Sequence, residues 1–440
     1  MTNKQSAIKI IKQLRRDGFE ALLAGGCVRD MLLGRTASDY DVATDARPDD
    51  VVKMFRRTLK VGAKFGVVIV LMQGRQVEVA TFRTEGGYTN GRHPASVKFA
   101  GAAKDASRRD FTINGMFYDP LSDKVIDYVD GQADLKNQIV RTIGRPEERF
   151  SEDYLRMLRA ARFSTQLGFA IEPGTFSAVC SNAKNIARIS GERIAIELEG
   201  ILVNPNRSTG ASMLIDSGLA EAIFPGFAGE LKRHRLTQIN TVRELKVEEQ
   251  CKSVSKKLNS AAYFAVGVLS HLKKKVDFVL ALAGFFAGFE TKFAIERCQI
   301  LKLSRNRNKH IKFLLTNRGK LLNDRMSLAE LKKNLAEPYF WDLYELQRAI
   351  EKAKQSPDRE GGAALIKLRK RIRDLGDVEL QPQPLLNGHD LIRLGAIPGP
   401  ALGQLAEELY IAQLEGNLQT PEQAQLWAQR WLQKHRSIEK

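Results

Sequence analysis

Leu23-Ala24-Gly25-Gly26-Cys27-Val28-Arg29-Asp30, followed shortly by Asp39-Tyr40-Asp41, is the stretch on which the reading of this chain turns. Apolar residues run into paired glycines, which predicts a strand ending in a tight turn. The glycines allow backbone N–H groups to approach a phosphate closely. Val28 to Leu33 reads as a short helix whose N-terminus favours an anion. Arg29 can clamp phosphate with its planar fork. Asp39 and Asp41, spaced D-x-D on a strand, point to one face. Hard oxygen donors of this kind suit Mg²⁺, which binds substrate phosphates while keeping waters. The combination predicts two-metal phosphoryl or nucleotidyl transfer.

Working outward, the 440 residues suffice for roughly three domains. With 43% hydrophobic and 27% charged residues, the composition is that of a globular chain with ample core material. Sixty-nine basic residues against 51 acidic ones give a net charge of +18, which points to a polyanionic partner, most simply nucleic acid. Residues 1–20 carry charges and lack the apolar run of a signal peptide. Val276 to Phe289, the most apolar stretch, is too short for a bilayer and predicts a buried helix. Cys27, Cys180, Cys251 and Cys298 have neither metal-ligand nor disulfide spacing. No membrane association and a reducing cytoplasmic location are therefore expected.

Residues 1 to about 130 read as a small α/β domain. Ile8–Arg16 is an amphipathic helix, and a second helix runs from Arg47-Pro48 to about Phe55. Val67–Met72 and Gln76–Phe82 form a hairpin turned by Gly74. Arg83–Ser107 is polar and glycine-containing and reads as a long flexible loop, with helix resuming at Phe111 and a short strand at Val125–Val129. From about Ser151 the pattern becomes helical, beginning with Asp153–Leu167, stopped by Gly168. Gln355–Gly362 reads as a linker. Basic clusters at Lys232–Arg235, Lys273–Lys275, Arg305–Lys312 and Lys367–Arg373 are solvated helix faces that could also track a phosphate backbone.

Further site candidates follow the glycine turn. In Arg108-Arg109-Asp110-Phe111-Thr112-Ile113-Asn114, the arginines could meet a triphosphate, while Asp110 and Asn114 could hydrogen-bond a ribose hydroxyl. In the run beginning Glu152-Asp153, positions Asp153, Arg156, Arg159 and Arg162 recur every three residues, which puts them side by side on a helix. Glu78, on the hairpin, faces where a third acidic ligand could lie.

These motifs resemble the class II CCA-adding tRNA nucleotidyltransferases and the bacterial poly(A) polymerases. The likeness is carried by L-x-G-G-x-V-R-D-x-L-L-G-x-x-x-x-D-x-D over 23–41, R-R-D-F-T-I-N over 108–114, G-Q-A-D-L over 131–135 and R-F-S-E-D-x-x-R-x-x-R-A-x-R-F over 149–163, with a weaker match at 388–400. Gly115 stands where alanine is common. The resemblance implies an α/β nucleotidyltransferase head over 1–130, a helical neck over 131–230, an RNA-binding helical body over 231–355 and a tRNA-binding helical tail over 363–440. It implies metal binding by Asp39, Asp41 and Glu78, and nucleotide binding by Gly25, Gly26, Arg29, Arg109, Asp110, Asn114, Asp153, Arg156, Arg159 and Arg162. Glu152, Asp153 and Arg156 would serve as an amino-acid template for the base. A carboxylate accepts from the exocyclic amine of cytosine or adenine while an arginine donates to a ring acceptor, and uracil and guanine present a carbonyl where that carboxylate needs a donor. The implied reaction is addition of C, C and A to tRNA from CTP and ATP with Mg²⁺. The length of the 83–107 stretch argues against CC-only addition, and poly(A) synthesis or A-addition alone are the alternatives. His271, His310 and His389 read as surface or capping residues.

Overall fold

Short runs of buried aliphatic residues build the N-terminal sheet. The computed structural model describes residues 2–89, 93–228, 260–354 and 360–436. Helix α1 (Asn3–Arg16) opens with a Thr2–Gln5 capping box and buries Ala7, Ile10, Ile11 and Leu14. Strands β1 (Ala21–Ala24), β2 (Asp41–Thr44), β3 (Thr58–Gly62), β4 (Val67–Met72), β5 (Arg75–Thr81), β8 (Phe117–Asp119) and β9 (Lys124–Ile126) form a seven-stranded sheet in the order β3-β4-β5-β2-β1-β8-β9. Only the β2–β5 pair is parallel. One sheet face packs under α1 and α3 (Pro48–Met54) through Leu23, Val42, Val51, Val68 and Val79. Leu22, Ala24, Ala43, Phe82 and Phe117 on the opposite face meet Ala102 and Ala106 of α4 (Ala102–Ser107).

The first helix, the α3 segment and the β4–β5 hairpin appear as expected, the hairpin turning through Gln73 and Gly74 at positive φ. The 83–107 stretch is corrected. Instead of a flexible loop it contains a two-stranded antiparallel ribbon, β6 (Arg83–Thr89) with β7 (His93–Phe99), followed by α4; residues 90–92 lie outside the described residues. Its register runs from Arg83↔Phe99 to Thr89↔His93. No α-helix begins at Phe111 either. That residue bridges Thr142, and a single 3₁₀ turn covers Thr112–Asn114.

Helices α5 (Gly131–Lys136), α6 (Pro146–Glu152), α7 (Leu155–Leu167), α8 (Pro173–Asn182), α9 (Gly191–Leu202), α10 (Arg207–Asp216) and α11 (Leu219–Ile223) follow, with a minor parallel pair β10 (Ile139–Val140) and β11 (Ala170–Ile171). Gly168 stops α7 in the left-handed conformation, as its position suggests. After α12 (Ser260–His271), α13 (Phe278–Phe285) is buried along its whole length and α14 (Thr291–Gln299) follows. No helix of the described residues is long and apolar enough to cross a membrane.

The chain divides into two compact units, Met1–Ser270 with Lys274–Arg305, and His271–Lys273 with Asn306–Lys440. The second is helical: α15 (Arg305–Thr316), α16 (Leu328–Leu335), α17 (Phe340–Ala353), α18 (Glu360–Leu375), α19 (Gly388–Arg393), α20 (Pro400–Leu414) and α21 (Pro421–Arg436). Gly361 and Gly362 lie in α18, so the expected linker ends before them, and 355–359 lie outside the described residues. Asn387 caps α19, and Leu391, Leu405, Leu409, Ala424 and Trp431 form the C-terminal core. His310 is buried, stacked on Tyr339 at 4.1 Å, which corrects its reading as a surface residue. The Lys232–Arg235 cluster and Cys251 fall outside the described residues; Cys27, Cys180 and Cys298 are free thiols.

Candidate active site

The glycine turn joins β1 to α2 (Gly26–Leu32). Gly25 sits at φ +77°, a conformation that favours glycine, and a Cβ there would lie 3.0 Å from Arg109 Nη1. Its N–H is not available to a phosphate, because it donates to Met116 O at 3.2 Å. The Gly25 carbonyl accepts from the Val28 and Arg29 amides, which leaves Gly26 and Cys27 as the first-turn donors without an intrahelical acceptor. Arg29 is held from two sides. Its Nη1 donates to Asn114 Oδ1 at 2.7 Å and its Nε to Asp30 Oδ1 at 2.8 Å.

Asp41 is the first residue of β2, opposite Ala24 in β1. The parallel register Val42↔Val79 sets Asp41 beside Glu78 of β5, both one residue before a buried valine and hence on the sheet face opposite those valines. Asp39 lies in the extended segment before β2, and its Oδ2 accepts from Ser38 Oγ at 2.8 Å. Asp41 keeps exposed surface at the start of β2, yet partial desolvation of its carboxylate comes first, then the negative charges of Glu78 and Asp39; against the pull of Arg109, these lift Asp41 to about 6. The ligand oxygens of the three residues do not all come within 4.8 Å of one another. An all-oxygen donor set with crowded negative charge fits a hard divalent cation, which would relieve that repulsion. Burial pushes the neighbouring Cys27 thiol up to about 11, so it stays protonated.

Beyond the carboxylates lies a network of arginines. Buried Asp105 accepts from Arg108 Nε at 2.8 Å and from Arg109 Nη2 at 3.0 Å, and the Arg109 guanidinium stands 4.9 Å from the Phe117 ring centroid. Asp110 accepts from Arg159 Nε at 2.8 Å and Nη2 at 2.5 Å, and from Asn114 Nδ2 at 3.3 Å. Against the upward push of burial, the Arg159 guanidinium, with hydrogen bonds from Asn114 and the Phe111 amide, holds Asp110 at about 2. Arg162 Nε donates to Glu197 Oε2 at 2.6 Å. The Phe163 ring lies 5.4 Å from both Arg29 and Arg159 and 4.3 Å from Arg162. Asn114 thus ties Arg29 of the turn to Asp110, and Asp110 ties both to α7.

The expected helical row from Asp153 to Arg162 is corrected at its first member. Asp153 has extended backbone (φ −149°) between α6 and α7, so only Arg156, Arg159 and Arg162 share the helix. Asp153 Oδ1 accepts from the Leu155 amide at 3.0 Å, and its Oδ2 from Arg193 Nη2 at 2.7 Å. Arg156 is buried; its Nη1 donates to Arg149 O at 2.8 Å and to Glu152. Glu152 also accepts from Arg149, which in turn reaches Arg109 O at 2.6 Å and Arg108 O. Residues that sequence reasoning missed are therefore Asp105, Arg149, Arg193 and Glu197. One signal was present: Glu197 falls among the buried positions Ile194, Leu198 and Ile201 of α9, where an acidic residue needs a partner. Gly115 also has a local reason, since a Cβ there would lie 2.6 Å from Val129 Cγ2.

Residues 21–141 match the poly A polymerase head domain family, and 168–231 match the family described as "probable RNA and SrmB-binding site of polymerase A". The chain is 44% identical over 233 residues to the CCA-adding enzyme of Geobacillus stearothermophilus, covering 53% of this chain and 57% of that protein. It is 41% identical over 226 residues to that of Lactobacillus johnsonii, covering 51% and 56%. The chain thus matches little more than half the length of these curated relatives. The structure of the Bacillus stearothermophilus CCA-adding enzyme in complex with CTP superposes with a TM-score of 0.73 at 27% identity, over 100% of this chain and 99% of that one. The Thermotoga maritima CCA-adding enzyme complexed with tRNA shares the fold, with a TM-score of 0.62 at 21% identity over 97% and 94% of the two chains.

Proposed function

We propose that this chain, which is similar to the class II CCA-adding enzymes and bacterial poly(A) polymerases, is an untemplated nucleotidyltransferase that adds C, C and A to the 3′ end of tRNA from CTP and ATP. The observation that carries this reading is the pairing of Asp41 with Glu78 on one sheet face, next to the Gly25 turn and Arg109. Enzymes of this family generally use divalent metal ions; Mg²⁺ is the ion proposed, held by Asp39, Asp41 and Glu78. When bound, it would activate the RNA 3′-hydroxyl and stabilise the leaving pyrophosphate. Gly26, at the start of α2, and Arg29 and Arg109 meet the triphosphate. Arg109 also balances the negative charge gathered around Asp41. Asp110 and Asn114 sit within reach of Arg29 and Arg159 and fix the ribose end of the pocket. Asp153, held by Arg193 and the Leu155 amide, accepts from the exocyclic amine of cytosine or adenine. Arg156, bonded to Glu152, completes the base template with Asp153 and Glu152 by donating to the ring acceptor, and Arg159 and Arg162 border the base beside Phe163. The division into head, neck, body and tail, a cytoplasmic location and tRNA binding by the helical parts complete the proposal.

The test is incubation with tRNAs lacking one, two or three terminal nucleotides, with CTP and ATP separately and together, followed by sequencing of the products. Orderly completion to CCA supports the reading. Unlimited A addition to any RNA 3′ end would make the chain a poly(A) polymerase, and extension only of tRNA ending in CC would make it an A-adding enzyme.

A further inference from the structure

Asp105 of α4 is 1% exposed and divides its two carboxylate oxygens between two arginines. Oδ2 accepts from Arg109 Nε at 3.2 Å and from Arg109 Nη2 at 3.0 Å. Oδ1 accepts from Arg108 Nε at 2.8 Å and lies 2.7 Å from Arg108 Nη2. The same oxygen accepts at 3.2 Å from the amide of Arg83, the first residue of β6. The two arginines stand at i,i+3 and i,i+4 from Asp105, where side chains on a helical turn are neighbours. One edge of the Arg109 fork, Nε with Nη2, is thereby turned to Asp105. The remaining corner, Nη1, lies at the glycine turn, 3.0 Å from where a Gly25 Cβ would stand, and makes a 3.4 Å bond to Asn114 O.

Two carboxylates compete for this guanidinium. Arg109 also pulls the Asp41 carboxyl down, so it stands within electrostatic reach of the metal-binding group. An arginine without an anchor samples many rotamers and would settle against Asp41, cancelling the charge that a divalent cation needs. One carboxylate shared by two guanidiniums leaves a net positive charge, so the anchor does not remove the attraction of Arg109 for a phosphate. We propose that Asp105 is a positioning residue for nucleotide binding, which holds Arg109 away from Asp41 and sets its Nη1 corner at the glycine turn to receive the triphosphate. The proposal rests on the reading of Arg109 as a triphosphate ligand and adds what keeps that ligand in place. A carboxylate that only tied α4 to the β6–β7 ribbon through the Arg83 amide would change melting and leave nucleotide affinity alone.

The experiment uses the full chain as wild type, Asp105→Asn, Arg109→Gln and the double variant. Affinities for CTP, ATP and pyrophosphate are measured by calorimetry with Mg²⁺ and without RNA, alongside thermal melting. Asp105→Asn should weaken all three about tenfold, because a charged anchor is lost. In the Arg109→Gln background the same substitution should change CTP affinity by less than about twofold, since the two residues act as one unit. In steady-state extension the KM for CTP and for ATP should rise together, the Mg²⁺ concentration for half-maximal rate should rise, and the KM for RNA should stay at its wild-type value. Wild-type CTP affinity in Asp105→Asn would overturn the proposal, as would an equal loss of affinity in both backgrounds. If Asp105→Asn loses its cooperative melt, Asp105→Glu takes its place, keeping the charge and moving it by one methylene. It should show the same loss, and wild-type CTP affinity there would count against the proposal in the same way. Undiminished CTP binding in Arg109→Gln would remove the triphosphate role of Arg109 and the role of Asp105 with it. Weakened binding in Arg109→Gln without any in Asp105→Asn would remove the role of Asp105 alone.

Discussion

Single residues in this site divide into those that wait for a ligand and those already committed to partners. Asp41 belongs to the first kind. Asp41→Asn should lower nucleotide addition on the order of a thousandfold, since a lost metal ligand removes several kcal/mol of transition-state stabilisation. Binding of tRNA should change little; single-turnover extension and filter binding separate the two effects, and turnover within tenfold of wild type would remove the metal assignment. Asp110 belongs to the second kind. Its carboxyl falls from an ordinary 3.8 to about 2 in the folded chain, so its ion pair with Arg159 stabilises the fold above the unfolded value. That contribution, about 2 kcal/mol, disappears as pH falls towards the folded value. The melting difference between wild type and Asp110→Asn should be constant from pH 5 to 7 and shrink below about pH 4. Asp153 lies between the two kinds. Asp153→Asn presents a donor as well as an acceptor, so UTP and GTP should be incorporated more readily relative to CTP and ATP when each is supplied alone. Unchanged discrimination would take Asp153 out of base selection.

At the scale of elements, what was legible followed periodicity and punctuation. The α1 stripe, the hairpin around Gly74, the glycine stop after α7 and the all-apolar α13 each declared themselves through spacing or a breaker residue. The β6–β7 ribbon did not, because it pairs only with itself and stands outside the seven-stranded sheet. The break between α6 and α7 was hidden for another reason. Glu-Asp-x-x-Arg has helical spacing, but the Asp153 side chain bonds the Leu155 amide two residues on, which offers the backbone an alternative to the helix. Partners from distant segments, Arg193 for Asp153 and Glu197 for Arg162, could not be read from local pattern at all. One close approach between elements gives a direct test. A Cβ on Gly131 would lie 2.3 Å from Thr112 O and 2.7 Å from Met116 Cγ. Gly131→Ala should therefore cost about 1–3 kcal/mol in denaturant unfolding and loosen the 3₁₀ turn that carries Asn114. A neutral effect would mean that α5 can retreat from that turn.

For the whole molecule, charge and core tell different stories. The +18 net charge was readable at once and says which partners the surface tolerates. The extent of the first core was not readable, because it ignores the compositional change near residue 130. Val140, Ala160, Phe163 and Phe169 pack in the same cluster as Ala7, Ile10, Leu23 and Val42. The Asp110–Arg159 pair crosses the same line, and so does the Phe111–Thr142 bridge. A fragment ending at Asp130 should accordingly bind a hydrophobic dye and lack a cooperative melt, whereas one extended through Arg305, where the first compact unit ends, should melt as a unit. Portability is the consequence. A head transplanted between two relatives must bring its own α7, or the recipient would receive a sheet without the helix that seals it and a nucleotide pocket without its arginine wall. Heads and necks in such a lineage would be inherited together, and any shuffling of parts should fall farther along the chain.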